Sequence, residues 1–186
     1  MSLRTALYSA ITAAGIVLCG IAFAALKVDA AKSSVNAVFK QMNVPVEAKF
    51  KKFSATVDFN SAKPETSKAS VDIDIASFDL GAPEYNDEVM KKEWFDAAHF
   101  PKASFVSTSI KPLAADKLDV AGKLTIKGKT IDVRFPLTHK KEGTNEVFEG
   151  ALPIKRLAFN IGEGEWKDTD TVADEVVIKF RVVTTQ

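Results

Sequence analysis

The sequence predicts an all-β fold: an antiparallel barrel of about eight strands with one short helical excursion, a two-sheet sandwich being the alternative. Three observations carry this. From Val120 to Leu137 apolar residues alternate with polar ones on either side of Lys127-Gly128-Lys129, the pattern of a β-hairpin with one wet face. The same period of two returns in most of the remaining chain, between short turn-forming stretches. Only Glu84 to Ala98 has the spacing of a helix.

Met1 to Ala24 has the form of a secretory signal peptide: Arg4 at the start, an apolar run from Ala6 to Phe23, and Ala22-Phe23-Ala24 as a small-residue cleavage site. An uncleaved anchor is the rival, since no charge occurs from Thr5 to Leu26. The lone cysteine, Cys19, would leave with this segment, and Leu18 before it argues against lipidation. The mature chain, 25–186, would then lack disulfides and thiol chemistry.

Val35, Ala37 and Phe39 mark a first strand, which Val44-Pro45-Val46 is expected to break. In the next run Phe50 lies on one face, the register shifts across Lys51-Lys52, and Phe53, Ala55, Val57 and Phe59 continue in phase, as a bulge would produce. Ser61 to Ser67 is a turn. Val71, Ile73 and Ile75 form a strand whose Asp72 and Asp74 face water rather than a metal. The helical stretch follows, with Asn86 or Asp87 as its cap and Pro101 as its stop. Strands then begin at Phe105, at Leu118, at Ile131 and at Val147. Arg156 to Asp168 is a glycine-punctuated crossing segment, and Val176 to Val183 closes the chain.

Within the central hairpin, Gly128 supplies the positive φ of a tight connection and the flanking lysines form a solvated tip. At 186 residues and 46% hydrophobic content the chain builds one domain with a sizeable core. Arg4 is the only charged residue among the first 24, and removing it brings the net charge of +1 to neutrality. No basic surplus points to nucleic acid.

The 13 phenylalanines are the compositional signal. Phe39, Phe50, Phe53, Phe59, Phe105, Phe135, Phe148 and Phe180 all fall on inward strand faces, mixed with the small residues Ala37, Ala55, Gly122 and Gly150. A solid aromatic core and a channel between large and small residues are equally compatible with that pattern. No catalytic or metal constellation emerges. His99 has the place of a helix-end residue and His139 that of a solvated strand end, and no serine sits in a glycine-flanked elbow. Arg156 with Glu163 and Glu165 has the composition of a structural brace across a barrel end, and Trp166 could gate a mouth there.

Several motifs in order closely resemble the YceI-like family. They are Trp94-Phe95-Asp96-Ala97-Ala98-His99-Phe100-Pro101 with Phe105, then Val120-Ala121-Gly122-Lys123-Leu124-Thr125-Ile126-Lys127-Gly128, then Lys155-Arg156-Leu157-Ala158-Phe159-Asn160-Ile161-Gly162, and Gly164-Glu165-Trp166. The resemblance covers essentially the chain from Leu26 onward. It implies an exported, periplasmic protein with an extended lipocalin-like antiparallel barrel, whose elongated apolar channel holds a polyisoprenoid, an isoprenoid quinone or another long lipid. On that basis residues 25–186 form a YceI-like lipid-binding domain, monomeric or homodimeric, that carries or sequesters the lipid. Its expected binding residues are Phe39, Phe50, Phe105, Phe135, Phe148, Phe180, Trp94 and Trp166. It would need no cofactor beyond the bound isoprenoid lipid or quinone. Lys32-Ser33 and Ala37 depart from the His-Ser pair and the aromatic residue frequent in relatives, and Ala37 would widen the channel. Two other readings use the same residues: a redox-partner module presenting quinone to a membrane cytochrome b-type protein, and an enzyme acting on the lipid through His99, Glu163 or Glu165.

Overall fold

A computed structural model describes residues 26–185, so the signal-peptide expectation for 1–24 lies outside the described residues. Its strands are β1 (Lys27–Val28), β2 (Ser34–Gln41), β3 (Val44–Phe50), β4 (Phe53–Asp58), β5 (Lys68–Asp74) and β6 (Phe78–Asp79), followed after helix α1 (Pro83–Val89) by β7 (Lys102–Ala114), β8 (Lys117–Ile126), β9 (Lys129–Glu142), β10 (Asn145–Lys155) and β11 (Val172–Thr185). All join one antiparallel sheet in the order β4-β5-β7-β8-β9-β10-β11-β2-β3-β6, with β1 beside β11.

The two ends of that order belong together. β3 and β4 are halves of one run, separated only by Lys51 and Lys52, which pairs with β2 before the break and with β5 after it. Leu26 bridges Val57 of β4 while β1 pairs with the end of β11, filling the remaining seam. The sheet therefore curls back on itself into a barrel-like wall.

Eleven strands, rather than the expected eight, follow from local breaks. β1 and β6 are two-residue strands, and the change of partner at Lys51-Lys52 divides a run that the sequence suggests is one strand with a bulge. The first hairpin also differs. β2 turns at Met42-Asn43, both at positive φ (48° and 63°), and Val44-Pro45-Val46 lies inside β3 instead of breaking the strand. A two-residue turn of that hand suits the twist of paired strands. Pro45 is tolerated because β3 is an edge there: β6 reaches only Lys49 and Phe50.

The helix is shorter than its pattern. α1 starts with Pro83 in its first turn and ends at Val89, and neither Asn86 nor Asp87 caps it. Beyond it the Glu93 carbonyl, which a longer helix would give to residue 97, accepts the N–H groups of Gly162 and Glu163, both at 2.8 Å. Met90–Ala98 otherwise folds into turns of its own, with the Phe95 and Ala97 N–H groups donating to Val89 and Met90, and the Glu93 bonds tie these turns to the crossing segment.

Asn86 instead braces the start of α1, accepting the Leu80 N–H at 2.7 Å and donating to Asp79 at 2.9 Å. The Lys51 ammonium, 2.6 Å from Asp79, with Asn86 and the Gly81 N–H, holds the Asp79 carboxyl far below its ordinary 3.8. A depressed pKa contributes stability above the unfolded value and loses it as pH falls through the folded one. The stability difference between wild type and Asp79→Asn is therefore expected to be constant above about pH 5 and to shrink below pH 4. Urea titrations at several pH values measure it; a difference unchanged down to pH 2 would refute this role for Asp79.

Candidate functional site

The inner face of the sheet encloses two contiguous cavities. One, of about 150 Å³, is walled by Phe105 of β7, Phe135 of β9, Phe148 of β10 and Phe180 of β11, with Ala55, Val57 and Val71 opposite. The other, of about 290 Å³, is walled by Phe39 of β2, Trp94 and Trp166, together with the polar groups of Gln41, Tyr85, Glu88 and Arg156. We term them the phenylalanine and tryptophan chambers. They have room for roughly ten and twenty water-sized groups respectively.

Phe50, Phe95, Ile126 and Ile178 line both chambers and form a waist between them. Strand β11 gives the direction of the channel. Val172 and Val176 line the tryptophan chamber, Ile178 the waist, and Phe180 and Val182 the phenylalanine chamber. At about 3.4 Å per residue, Val176 to Val182 alone spans on the order of 20 Å. The pattern of alternate residues thus becomes a continuous apolar stripe along the cavity axis.

All eight aromatic residues expected to form a binding wall, Phe39, Phe50, Phe105, Phe135, Phe148, Phe180, Trp94 and Trp166, line one chamber or both. Phe53 lines neither. The small inward residues divide: Ala37 and Ala55 reach a chamber wall, whereas Gly122 and Gly150 do not, because the rings of Phe105 and Phe180 lie over them. Phe105, Phe135 and Phe180 form a row across the sheet, with centroids 5.6 and 5.7 Å apart.

His139 is not a solvated strand end. It packs against Phe59 and Phe148, with centroids at 4.5 and 5.0 Å, and lies 2.6 Å from the buried Glu146 carboxylate. Phe59, just past β4, and Phe148 of β10 converge on that strand end and cover most of the imidazole. His99 is exposed, 2.7 Å from Asp96, and Glu163 and Glu165 line neither chamber, so the groups of the enzyme reading are not gathered at the cavity.

The brace at the tryptophan end uses different partners from those expected. Arg156 is 2% exposed and donates to five main-chain carbonyls. Nε reaches Ala173 (3.1 Å), Nη1 reaches Ile161 (2.8 Å) and Gly162 (3.2 Å), and Nη2 reaches Trp166 and Val172 (both 2.7 Å). Burial lowers the guanidinium pKa from its ordinary value, opposed by Asp174. Its carbon lies 5.7 Å over the Trp94 ring, which packs on Trp166 at 5.2 Å. Gly162, at φ 80°, allows the approach: a Cβ there would stand 2.0 Å from Nη1.

Glu163 pairs instead with Lys127, and no ion pair to Glu165 occurs among the described residues. Carbonyls serve Arg156 better because they are already fixed by the crossing segment, whereas a carboxylate would need its own desolvation. Lys127 corrects the solvated-tip expectation. Its side chain is 7% exposed, and its ammonium donates to the carbonyls of Lys92 (2.6 Å) and Asn160 (2.7 Å) as well as to Glu163 (3.1 Å). No local pattern signals this, since a lysine before Gly128 in a two-residue turn ordinarily faces water. Ile126, Ile178 and Phe95 were likewise legible as apolar residues but not as the waist.

Trp94 carries one further feature. Its Nε1–H is buried and has no hydrogen-bond partner among the described residues.

A model described as the YceI-like domain matches residues 26–184. The crystal structure of Burkholderia cenocepacia BcnA is similar at 57% identity, covering 86% of this chain and 100% of that one, with a TM-score of 0.84. A polyisoprenoid binding domain from Saccharophagus degradans shares the fold at 18% identity and a TM-score of 0.67, over 85% of this chain and 96% of the other. A UPF0312 protein of Pseudomonas fluorescens is 38% identical over 98 residues, 53% of this chain and 51% of the relative. The chain spans about half the length of the curated relatives it matches.

Proposed function

The chain belongs to the YceI-like family, and from that premise we propose that it is a periplasmic carrier or sequestering protein for a long isoprenoid lipid or isoprenoid quinone. The observation that carries this reading is the pair of apolar chambers joined through one waist, a shape suited to a chain rather than a compact molecule. Binding is hydrophobic transfer, worth about 0.8 kcal/mol per buried methylene before the cost of ordering the chain. No covalent step is required.

The two chambers suit the two ends of such a ligand. Gln41, Tyr85 and Glu88 give the tryptophan chamber polar edges for a head, and the lining of the phenylalanine chamber is apolar apart from Asp58, Lys68 and Ser104. An oxygen on the head could accept from Trp94 Nε1, offsetting the roughly 1–3 kcal/mol that an unpaired buried donor costs. The shared fold of the Saccharophagus degradans polyisoprenoid binding domain supports an isoprenoid ligand. The apolar run from Ala6 to Phe23, ending in a small-residue site, supports export.

Native mass spectrometry of the protein from its own periplasm, followed by organic extraction, tests this. The expected result is one isoprenoid lipid or quinone per chain, and the same spectrum separates monomer from homodimer. A quinone would keep a cytochrome b-type recipient in play, and a lipid without redox chemistry would remove it. Empty protein that also takes up no added isoprenoid would overturn the carrier reading.

A further inference from the structure

We propose that Gly150 sets the usable bore of the phenylalanine chamber, and with it the longest apolar chain the protein accepts, by giving the Phe180 ring a recess in the sheet wall. This rests on the binding function proposed above. Gly150 of β10 stands opposite Phe180 of β11 on one side and Leu137 of β9 on the other. A Cβ at residue 150 would lie 2.4 Å from Phe180 Cζ and 2.9 Å from Cε1, so the outer edge of the ring rests against the glycine backbone. Phe180 and Leu137 line the chamber and Gly150 does not, because the ring covers it.

The position of Phe180 along the channel gives this packing its effect. On β11 the waist residue Ile178 precedes Phe180 by one step on the same face, so Phe180 is the first residue of that strand to line the phenylalanine chamber beyond the waist. A methyl group at residue 150 needs about 3.5–4 Å from the ring carbons, which moves the ring edge by roughly 1–1.5 Å. Phe135 flanks the ring at 5.7 Å, and the open direction is the chamber itself.

Gly122 holds Phe105 in the same manner but is a different case. A Cβ there would also meet the Val106 carbonyl oxygen at 2.5 Å, so substitution would strain the sheet. At Gly150 all the nearest atoms belong to side chains, and its φ lies outside the left-handed region, so alanine is compatible with the backbone. The recess at Gly150 therefore acts on the cavity with little demand on the fold.

The experiment measures affinities for geraniol, farnesol, geranylgeraniol and solanesol, with wild type, Gly150→Ala, Phe180→Leu and the double variant, alongside thermal unfolding of each. Gly150→Ala is expected to lose about tenfold in solanesol affinity while its farnesol affinity changes less than about twofold. Phe180→Leu in the Gly150→Ala background restores solanesol binding, and Phe180→Leu alone raises it even if Gly150→Ala does not fold. Equal losses at every chain length, or no loss at any, would overturn the role of Gly150 while leaving the binding function standing. Failure of the wild type to bind any of the four would overturn both.

Discussion

Arg156→Met is expected to cost the fold about 3–5 kcal/mol, because one guanidinium satisfies five carbonyls that have been withdrawn from water. Methionine keeps the apolar stem and removes every donor. The carbonyls of Ile161, Gly162, Trp166, Val172 and Ala173 come from the crossing segment and the start of β11, so losing the guanidinium releases several separate pieces of chain. Arg156→Lys should recover less than half, since an ammonium offers three donors from one point and cannot span the same fan. Urea unfolding reads both variants. A loss below about 1 kcal/mol in Arg156→Met would mean that water replaces the guanidinium and that the end is not closed as described.

Lys127→Gly is the second large effect, and its sign is the informative part. Lys127 occupies a left-handed turn position, φ 47°, where glycine ordinarily gains roughly 1 kcal/mol. The ammonium it would lose joins the β8–β9 turn to the loop after α1 and to the crossing segment, at a site almost closed to water. Removing it should cost about 2–3 kcal/mol, leaving Lys127→Gly net destabilised by about 1–2 kcal/mol and Lys127→Met, which keeps the strained turn, by the whole amount. Chemical denaturation of the two variants separates these contributions. If Lys127→Gly is more stable than wild type, the ammonium does not hold the three segments together.

These two cations show where the sequence stops being informative. Alternation along a strand is visible because each residue's face follows from its neighbours, and the six phenylalanines of the wall, on β2, β3, β7, β9, β10 and β11, are legible for that reason, whereas Trp94 and Trp166 lie off the strands and rest on the family resemblance. Arg156 was legible as a brace, but its partners were not: carbonyls are the same at every residue, so a sequence draws attention to Glu163 and Glu165 instead. Lys127 was hidden because its partners, Lys92 and Asn160, lie 35 and 33 residues away. The helix is cut short locally, since beyond Val89 the carbonyls of Val89 and Met90 accept from Phe95 and Ala97 instead of from residues four ahead, which apolar spacing does not show. Gly122 and Gly150 are compatible in sequence with a channel or a filled core, and only the structure shows that rings from the neighbouring strand lie over them.

The change of partner between β3 and β4 has a consequence for survival in a crowded compartment. A protein that offers an apolar lumen to greasy chains is at risk if it also offers an unpaired strand, because both attract the same misfolded neighbours. By sending one run to both ends of the sheet, the chain limits the ladder left free: the outer side of β4 is joined at Val57 by Leu26, and the outer side of β3 before Lys49 is unpaired by β6. That short margin contains Pro45, which presents no N–H, and Glu47, whose charge resists stacking with a copy of itself. The wall that makes room for a ligand is thus also a poor template for fibril growth.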